Sequence, residues 1–338
     1  MKKTLFTLIL CSSLHFFGFA QQESISIKSY HWALENDSRI SQDPDIFNRL
    51  SNDSIKYKGG LLLSYDRSKF GGLSSLSAAE DGLSLLAISD YSGKPIDKIP
   101  LKYRSKWYKM NLQYKNGLLD SAKIADQGQV FDLDGEVIDG GIESIAESDN
   151  MIYLSFDERA EMLGFNKKSN FKTVEKTLTL SKFPDRDNAG IECITLTKNH
   201  ELFAIYEFNH KKRFCEAWMV NPKDNATRHI KYYKTQTEVK GATTLHNGDI
   251  IVMEKTWNEN DNTSHVQLMY IFADDLKKSK IKPTLIYDAK SAVLDNFEGI
   301  TSFYAQGKEH LLLISDDNGD SGRDQRTLLL HFELDLTF

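Results

Sequence analysis

The chain has 338 residues, 42 of them Lys or Arg and 48 Asp or Glu, for a formal net charge of −6. An acidic chain without a basic face excludes a general nucleic-acid binder, whose affinity rests on clustered cations, and is compatible with cation binding. Beyond the first twenty residues no run is apolar enough to span a bilayer, so no membrane span is expected.

The amino terminus carries Lys2 and Lys3, an apolar run from Leu5 to Phe19, and Gly18-Phe19-Ala20 ahead of Gln21. This reads as a secretory signal peptide, residues 1–20, cleaved near Ala20–Gln21. Cys11 does not fit lipoprotein processing, because Leu10 stands where a small residue is needed. The mature chain, residues 21–338, is therefore expected in the periplasm or outside the cell, as a monomer. Its net charge becomes −8 once Lys2 and Lys3 are gone. Two cysteines remain, Cys193 and Cys215. They fall in strands separated by a third, roughly 10 Å apart, beyond disulfide reach, so both are expected as buried thiols.

From Asp43 to Leu50 the sequence DPDIFNRL predicts a short helix, capped by Asp43 with Pro44 at its first position. Elsewhere short β-rich runs alternate with Gly, Asn and Asp turns, the pattern of an all-β chain. Stretches beginning at Gly71, Gly141, Gly190, Lys240 and Phe297 share one plan: a short strand, a polar turn and a more apolar strand. Each ends at an acid, Asp90, Asp157, Glu207, Glu254 and Asp316. Residues 24–63 add strand material, and residues 94–139 have room for a degenerate repeat. A recurrence of this kind predicts a β-propeller of five or six blades, six slightly preferred, in one domain. A pair of β-sandwiches is the alternative.

In a propeller equivalent positions form a ring around the central channel. Glu143, Glu192 and Glu298 recur beside the first strand, with Gly71 and Lys240 in the corresponding places. Glu is a poor strand residue, so its recurrence in apolar settings needs a reason. Carboxylates converging on one axis repel one another unless cations intervene, and hard oxygen ligands suit Ca²⁺. The predicted metal set is Asp90, Glu143, Glu192, Glu298 and Asp316. Arg159 and Lys255, beside the strand-end acids, are positioned to bind an anion such as phosphate or to form salt bridges.

The closing loop, ISDDNGDSGRDQR from Ile314, suggests two further motifs and fits neither. GDSG lacks the surrounding triad. The calcium-loop reading from Asp316 fails at Ser321, where Gly is needed, and at Thr327, where Glu is needed. There is likewise no G-x-S-x-G elbow, H-E-x-x-H, C-x-x-C or P-loop, and the nine histidines are scattered.

FGGLSSLS with LLAISDYSG, then GIESIA and GIECITL, and finally DNFEGITSF with LLLISDDN and QRTLLLHFEL, resemble the phytase-like family described as having esterase-like activity. The similarity runs from about Lys58 to Leu334. It implies a secreted β-propeller linked to phosphoester or related ester hydrolysis. Its matched positions are Gly71, Gly72, Asp90, Glu143, Glu192, Glu298, Asp316, Asp317 and Arg326; Lys240-Gly241 departs from the pattern. The expected chemistry is metal-assisted hydrolysis of a small-molecule ester or phosphoester. Glu143 or Glu192 would serve as general base and Arg159, Lys255 or Arg326 would face the developing charge. The alternatives are a non-catalytic calcium-stabilised binding propeller and a lactonase-like propeller.

Overall fold

The computed structural model describes residues 25–32, 39–66, 69–90, 105–157, 159–181, 183, 190–206, 213–235, 238–258, 263–318 and 325–336. The expected signal peptide and Glu207 lie outside them. No described helix is long and apolar enough to cross a membrane.

Two strands, β1 (Lys28–His31) and β2 (Ile55–Ser64), precede the first sheet. Blade I is β3 (Leu73–Ala78), β4 (Ser84–Ser89), β5 (Lys106–Lys115) and β6 (Leu118–Gln129). Blade II follows with β7 (Ile142–Glu147), β8 (Met151–Phe156), β9 (Glu161–Asn166) and β10 (Val174–Thr179). Blade III is β11 (Ile191–Leu196), β12 (Leu202–Tyr206), β13 (Cys215–Val220) and β14 (Thr227–Tyr232). Blade IV is β15 (Glu238–Thr244), β16 (Ile250–Asn258), β17 (Thr263–Ile271) and, outermost, β19 (Thr284–Ser291). The intervening β18 (Lys280–Ile281) adds a parallel edge to β14. Blade V takes β20 (Asn296–Ala305), β21 (Lys308–Asp316) and β22 (Thr327–Leu334), and is completed by β2 and β1.

The molecule is thus a five-bladed propeller. The stretch weighed as a sixth blade supplies β5 and β6, the outer half of blade I. The N-terminal strand material closes the ring by pairing β2 antiparallel with β22. That closure removes the exposed edge β22 would otherwise present.

Five apolar layers lie between successive blades, because each sheet is buried on both faces. Trp218, Tyr108, Phe203 and Phe332 fill these wedges with almost no exposure, each contributing on the order of 1.5–3 kcal/mol by burial. Cys193 and Cys215 are buried free thiols, with β12 between them: Cys193 faces Ile205, which faces Ala217.

The short helix, α1 (Ile46–Arg49), begins two residues later than expected, after Asp45. Asp43 gives its carboxylate to Arg49 and Ser291 instead of capping the helix. An ion pair and a tertiary hydrogen bond outcompete the local cap.

Candidate functional site

Every innermost strand breaks register at the same place. In β3, β7, β11, β15 and β20 the irregularity falls one residue after the strand's first apolar contact, skipping Ser74, Glu143, Glu192, Lys240 and Glu298. A bulge leaves the extra residue out of the ladder and re-aims its side chain. The glutamates unsuited to a regular strand occupy the one position where the strand is not regular. This bulge ring contains the three predicted glutamates and Lys240. In blade I its member is Ser74, three residues beyond the Gly71 expected there; the Ser74 hydroxyl donates to the Ile142 carbonyl of the next blade.

A second ring sits at the ends of the second strands. Asp90 N–H bonds the Gly72 carbonyl and Asp157 N–H the Gly141 carbonyl. Lys255 faces Glu238 and Asp316 faces Asn296. The fourth member is therefore Lys255. Glu254 is displaced by one residue from the expected alignment: it faces Val239, as Ser89 faces Leu73 and Ser315 faces Phe297. A one-residue slip reverses the side chain. Accordingly Glu254 is buried away from the axis, accepting from Tyr232 Oη at 2.7 Å and Thr235 Oγ1 at 2.6 Å.

Blade IV thus contributes lysines to both rings, where blade V contributes Glu298 and Asp316. Lys240 Nζ reaches Glu192 Oε2 at 3.0 Å, back towards blade III. Lys255 Nζ lies 3.3 Å from Glu298 Oε1 in blade V and donates to Asn296 Oδ1. The Asn296 amide in turn donates to Glu298 Oε1 at 2.9 Å. Burial would raise Glu298, but Lys255 and Lys240 outweigh it and hold its carboxyl below the ordinary range.

Beyond Glu298 the acids converge. Asp90, Glu298 and Asp316 each bring a carboxylate oxygen into one group, all within 4.8 Å of one another. Burial, then Glu298 and Asp157, push Asp90 well above its usual value. Burial, then Asp90, Glu298 and Asp317, do the same to Asp316. Glu143 is raised by burial and by Glu192, Asp157 and Asp90. Asp317 is fully buried, accepting from Tyr65 Oη at 2.9 Å and Gly72 N–H at 2.9 Å.

A Ca²⁺ with oxygens at about 2.3–2.6 Å spans ligands up to about 5 Å apart, whereas Mg²⁺ at about 2.1 Å spans only about 4.2 Å. The three-oxygen group therefore lies within the span of a single Ca²⁺. No side chain donates a hydrogen bond to Asp90 or Glu143 among the described residues, which leaves both carboxylates open to a cation or a proton.

Two of the expected anion-binding residues lie away from this axis. Arg159, in the turn after β8, is exposed and stacks over Phe156 at 5.0 Å, beside a cavity of about 340 Å³ that also touches Asp132 and Glu161. Arg326 Nε bonds Asp295 Oδ2 at 2.9 Å and its Nη2 bonds the Val293 carbonyl; Arg39 meets the same carboxylate at 2.7 Å. Together they brace the entry to β20. Asp320 and Asp324 of the closing loop fall outside the described residues. Asp157 was legible as a strand-end acid and joins the electrostatic cluster, although it was not in the expected metal set.

The fold is similar to several solved propeller structures at low identity. The Malassezia sympodialis allergen Mala s 1 aligns at 13% identity over 82% of this chain and 87% of that one, TM-score 0.44. The Myxococcus xanthus glutaminyl cyclase aligns at 8% identity over 79% and 92%, TM-score 0.43. An endo-arabinase from Bacteroides thetaiotaomicron aligns at 8% identity over 80% and 96%, TM-score 0.49. No curated protein sequence matches the chain. The sequence profile of the family described as "Phytase-like: Esterase-like activity of phytase" matches residues 68–319, and the chain belongs to that family.

Proposed function

We propose that the protein is a calcium-assisted hydrolase of small phosphate or carboxylate esters, working at the mouth where the two rings meet. The observation that carries this reading is the converging Asp90–Glu298–Asp316 oxygen group, with Lys255 in contact with Glu298 at 3.3 Å and Lys240 with Glu192 at 3.0 Å beside it. The carboxylates would hold a cation, and the two lysines paired beside them add positive charge for an esterified anion bound to it. When bound, Ca²⁺ supplies charge neutralisation and acidifies a coordinated water. Glu143 is the general base of this reading: it holds the bulge position of blade II, and burial with Glu192, Asp157 and Asp90 raises its carboxyl above the ordinary range, strengthening it as a proton acceptor. It takes the proton of the attacking water as the new bond to phosphorus or carbon forms. The ester bond to the alcohol oxygen breaks, and that oxygen takes a proton from solvent. Glu192, tied to Lys240 at 3.0 Å, positions the lysine; Lys240 and Lys255 face the developing negative charge. Removal of the amino-terminal signal on export belongs to the same proposal.

The test is turnover of p-nitrophenyl phosphate and p-nitrophenyl butyrate, with a lactone panel alongside, in calcium and in EGTA. Calcium-dependent turnover that falls at least a hundredfold in Glu143→Gln and in Asp316→Asn is expected. Equal rates in wild type and both variants would remove the hydrolase assignment. Calcium binding without turnover would instead favour a binding propeller, which the self-neutralised Lys255–Glu298–Asn296 contact also suits.

A further inference from the structure

The inner strands run from the acidic mouth to a second opening at the other end of the channel. Glu143 and Ser148 are five residues apart, about 15 Å along β7 and its turn. At that far end, between blades I and II, lies a cavity of about 770 Å³. It is well inside the range of small-molecule sites, about 300–1,000 Å³, and it shares no residue with the two rings.

One wall is aromatic. Trp107 on β5 and Phe171 after β9 lie with ring centroids 5.9 Å apart. The indole sits over Gly128, its partner across the sheet; a Cβ at 128 would come within 2.5 Å of Trp107 Nε1. The sequence has thus given up a side chain on β6 to seat this ring. Trp107 is only 6% exposed, and its Nε1 donor is buried with no hydrogen-bond partner in the protein.

The rest of the lining mixes charges in pairs. Lys109 faces Asp126 across the β5–β6 ladder. Lys167 bonds Glu147 at 2.8 Å. Glu80 and Asp149 add two further acids to the lining, so carboxylates outnumber lysines four to two, which disfavours an anion and leaves acceptors for hydroxyl donors. The lining sets these carboxylates and the two lysines beside the Trp107 and Phe171 rings. Vicinal hydroxyls are donors and acceptors at once, and a pyranose ring also has an apolar C–H face. We propose that this cavity is a second ligand site, which binds a neutral oligosaccharide of two or three sugar units.

Calorimetric titration of the full mature chain with maltotriose, cellotriose and chitotriose tests this, with inorganic phosphate as the charged probe. At least one trisaccharide should bind with a dissociation constant of millimolar or better. That affinity should fall about tenfold in Asp126→Asn and in Glu147→Gln, both on the lining surface, and in Trp107→Phe, which shrinks the aromatic wall. Asp316→Asn, at the opposite mouth, should leave it unchanged, so failure here is separable from failure of the hydrolase reading. Binding of none of the three sugars overturns the proposal. So does sugar binding that survives all three far-end variants, sugar binding that is lost in Asp316→Asn, or phosphate binding that responds to the far-end variants.

Discussion

A single buried histidine makes part of the stability of this fold titratable. His331 on β22 is almost wholly buried, with His310 Nδ1 3.1 Å from its Nε2 and Phe303 stacked beside it. Burial, then His310 and Lys58, pull its pKa from 6.5 down to about 3. The unfolded chain therefore binds a proton near pH 6.5 that the folded chain refuses until near pH 3. This contribution to stability is complete above the unfolded value and is lost as pH falls through that window. Its size is on the order of a few kcal/mol. In urea unfolding between pH 4 and pH 7, the stability of His331→Phe relative to wild type should rise as pH falls. A difference that stays constant with pH would take this contribution away from His331.

At the scale of elements, the bulge explains both what the sequence revealed and what it concealed. The repeat was legible because strand, turn and strand recur with an acid at the end. Glu143, Glu192 and Glu298 stood out because glutamate is a misfit in a strand, and the bulge is the physical reason it fits. Ser74 and the true register of Glu254 and Lys255 were not legible. One residue of slip changes the face a side chain takes, and composition carries no record of where a strand bulges. The blade count depended on β2 and β1 joining β22, a contact between the two ends of the chain that local pattern does not encode. The inner strands also depend on glycines where neighbouring blades touch: a Cβ at Gly190 would lie 2.4 Å from the Phe156 carbonyl oxygen and 2.5 Å from Asp157 Cα. Neither is a flexible side-chain tip, so the backbone must move. Gly190→Ala should cost about 1–3 kcal/mol and lower the melting temperature by a few degrees. It should also weaken calcium binding, because the strand it displaces carries Asp157. Gly117→Ala meets no atom within 4 Å; its cost is confined to a positive φ in the β5–β6 turn, and it should leave calcium binding unchanged.

The whole molecule joins these effects through the channel, where opposite pKa shifts make pH and cation concentration interchangeable. Asp90, Glu143 and Asp316 are held above their ordinary values by burial and by one another. Raised carboxylates stabilise the fold fully below the unfolded value, about pH 4, and that stability is lost as pH rises through their folded values. The cation-free propeller should therefore weaken on the alkaline side, opposite in sign to the His331 effect. A divalent cation at Asp90, Glu298 and Asp316 replaces the protons that relieve this repulsion, so its stabilisation must grow as protons leave. Melting temperatures in EGTA and in millimolar calcium, measured from pH 5 to pH 8, should diverge as pH rises. Magnesium should do less than calcium, because it demands near-ideal octahedral geometry and dehydrates reluctantly. Asp316→Asn removes one of the mutually repelling carboxylates and one of the three oxygens at once. It should raise the melting temperature in EGTA at pH 8 and shrink the calcium response. A calcium shift equal at pH 5 and pH 8, or undiminished in Asp316→Asn, would mean that the cation binds elsewhere and that the ring is balanced by Lys240 and Lys255 alone.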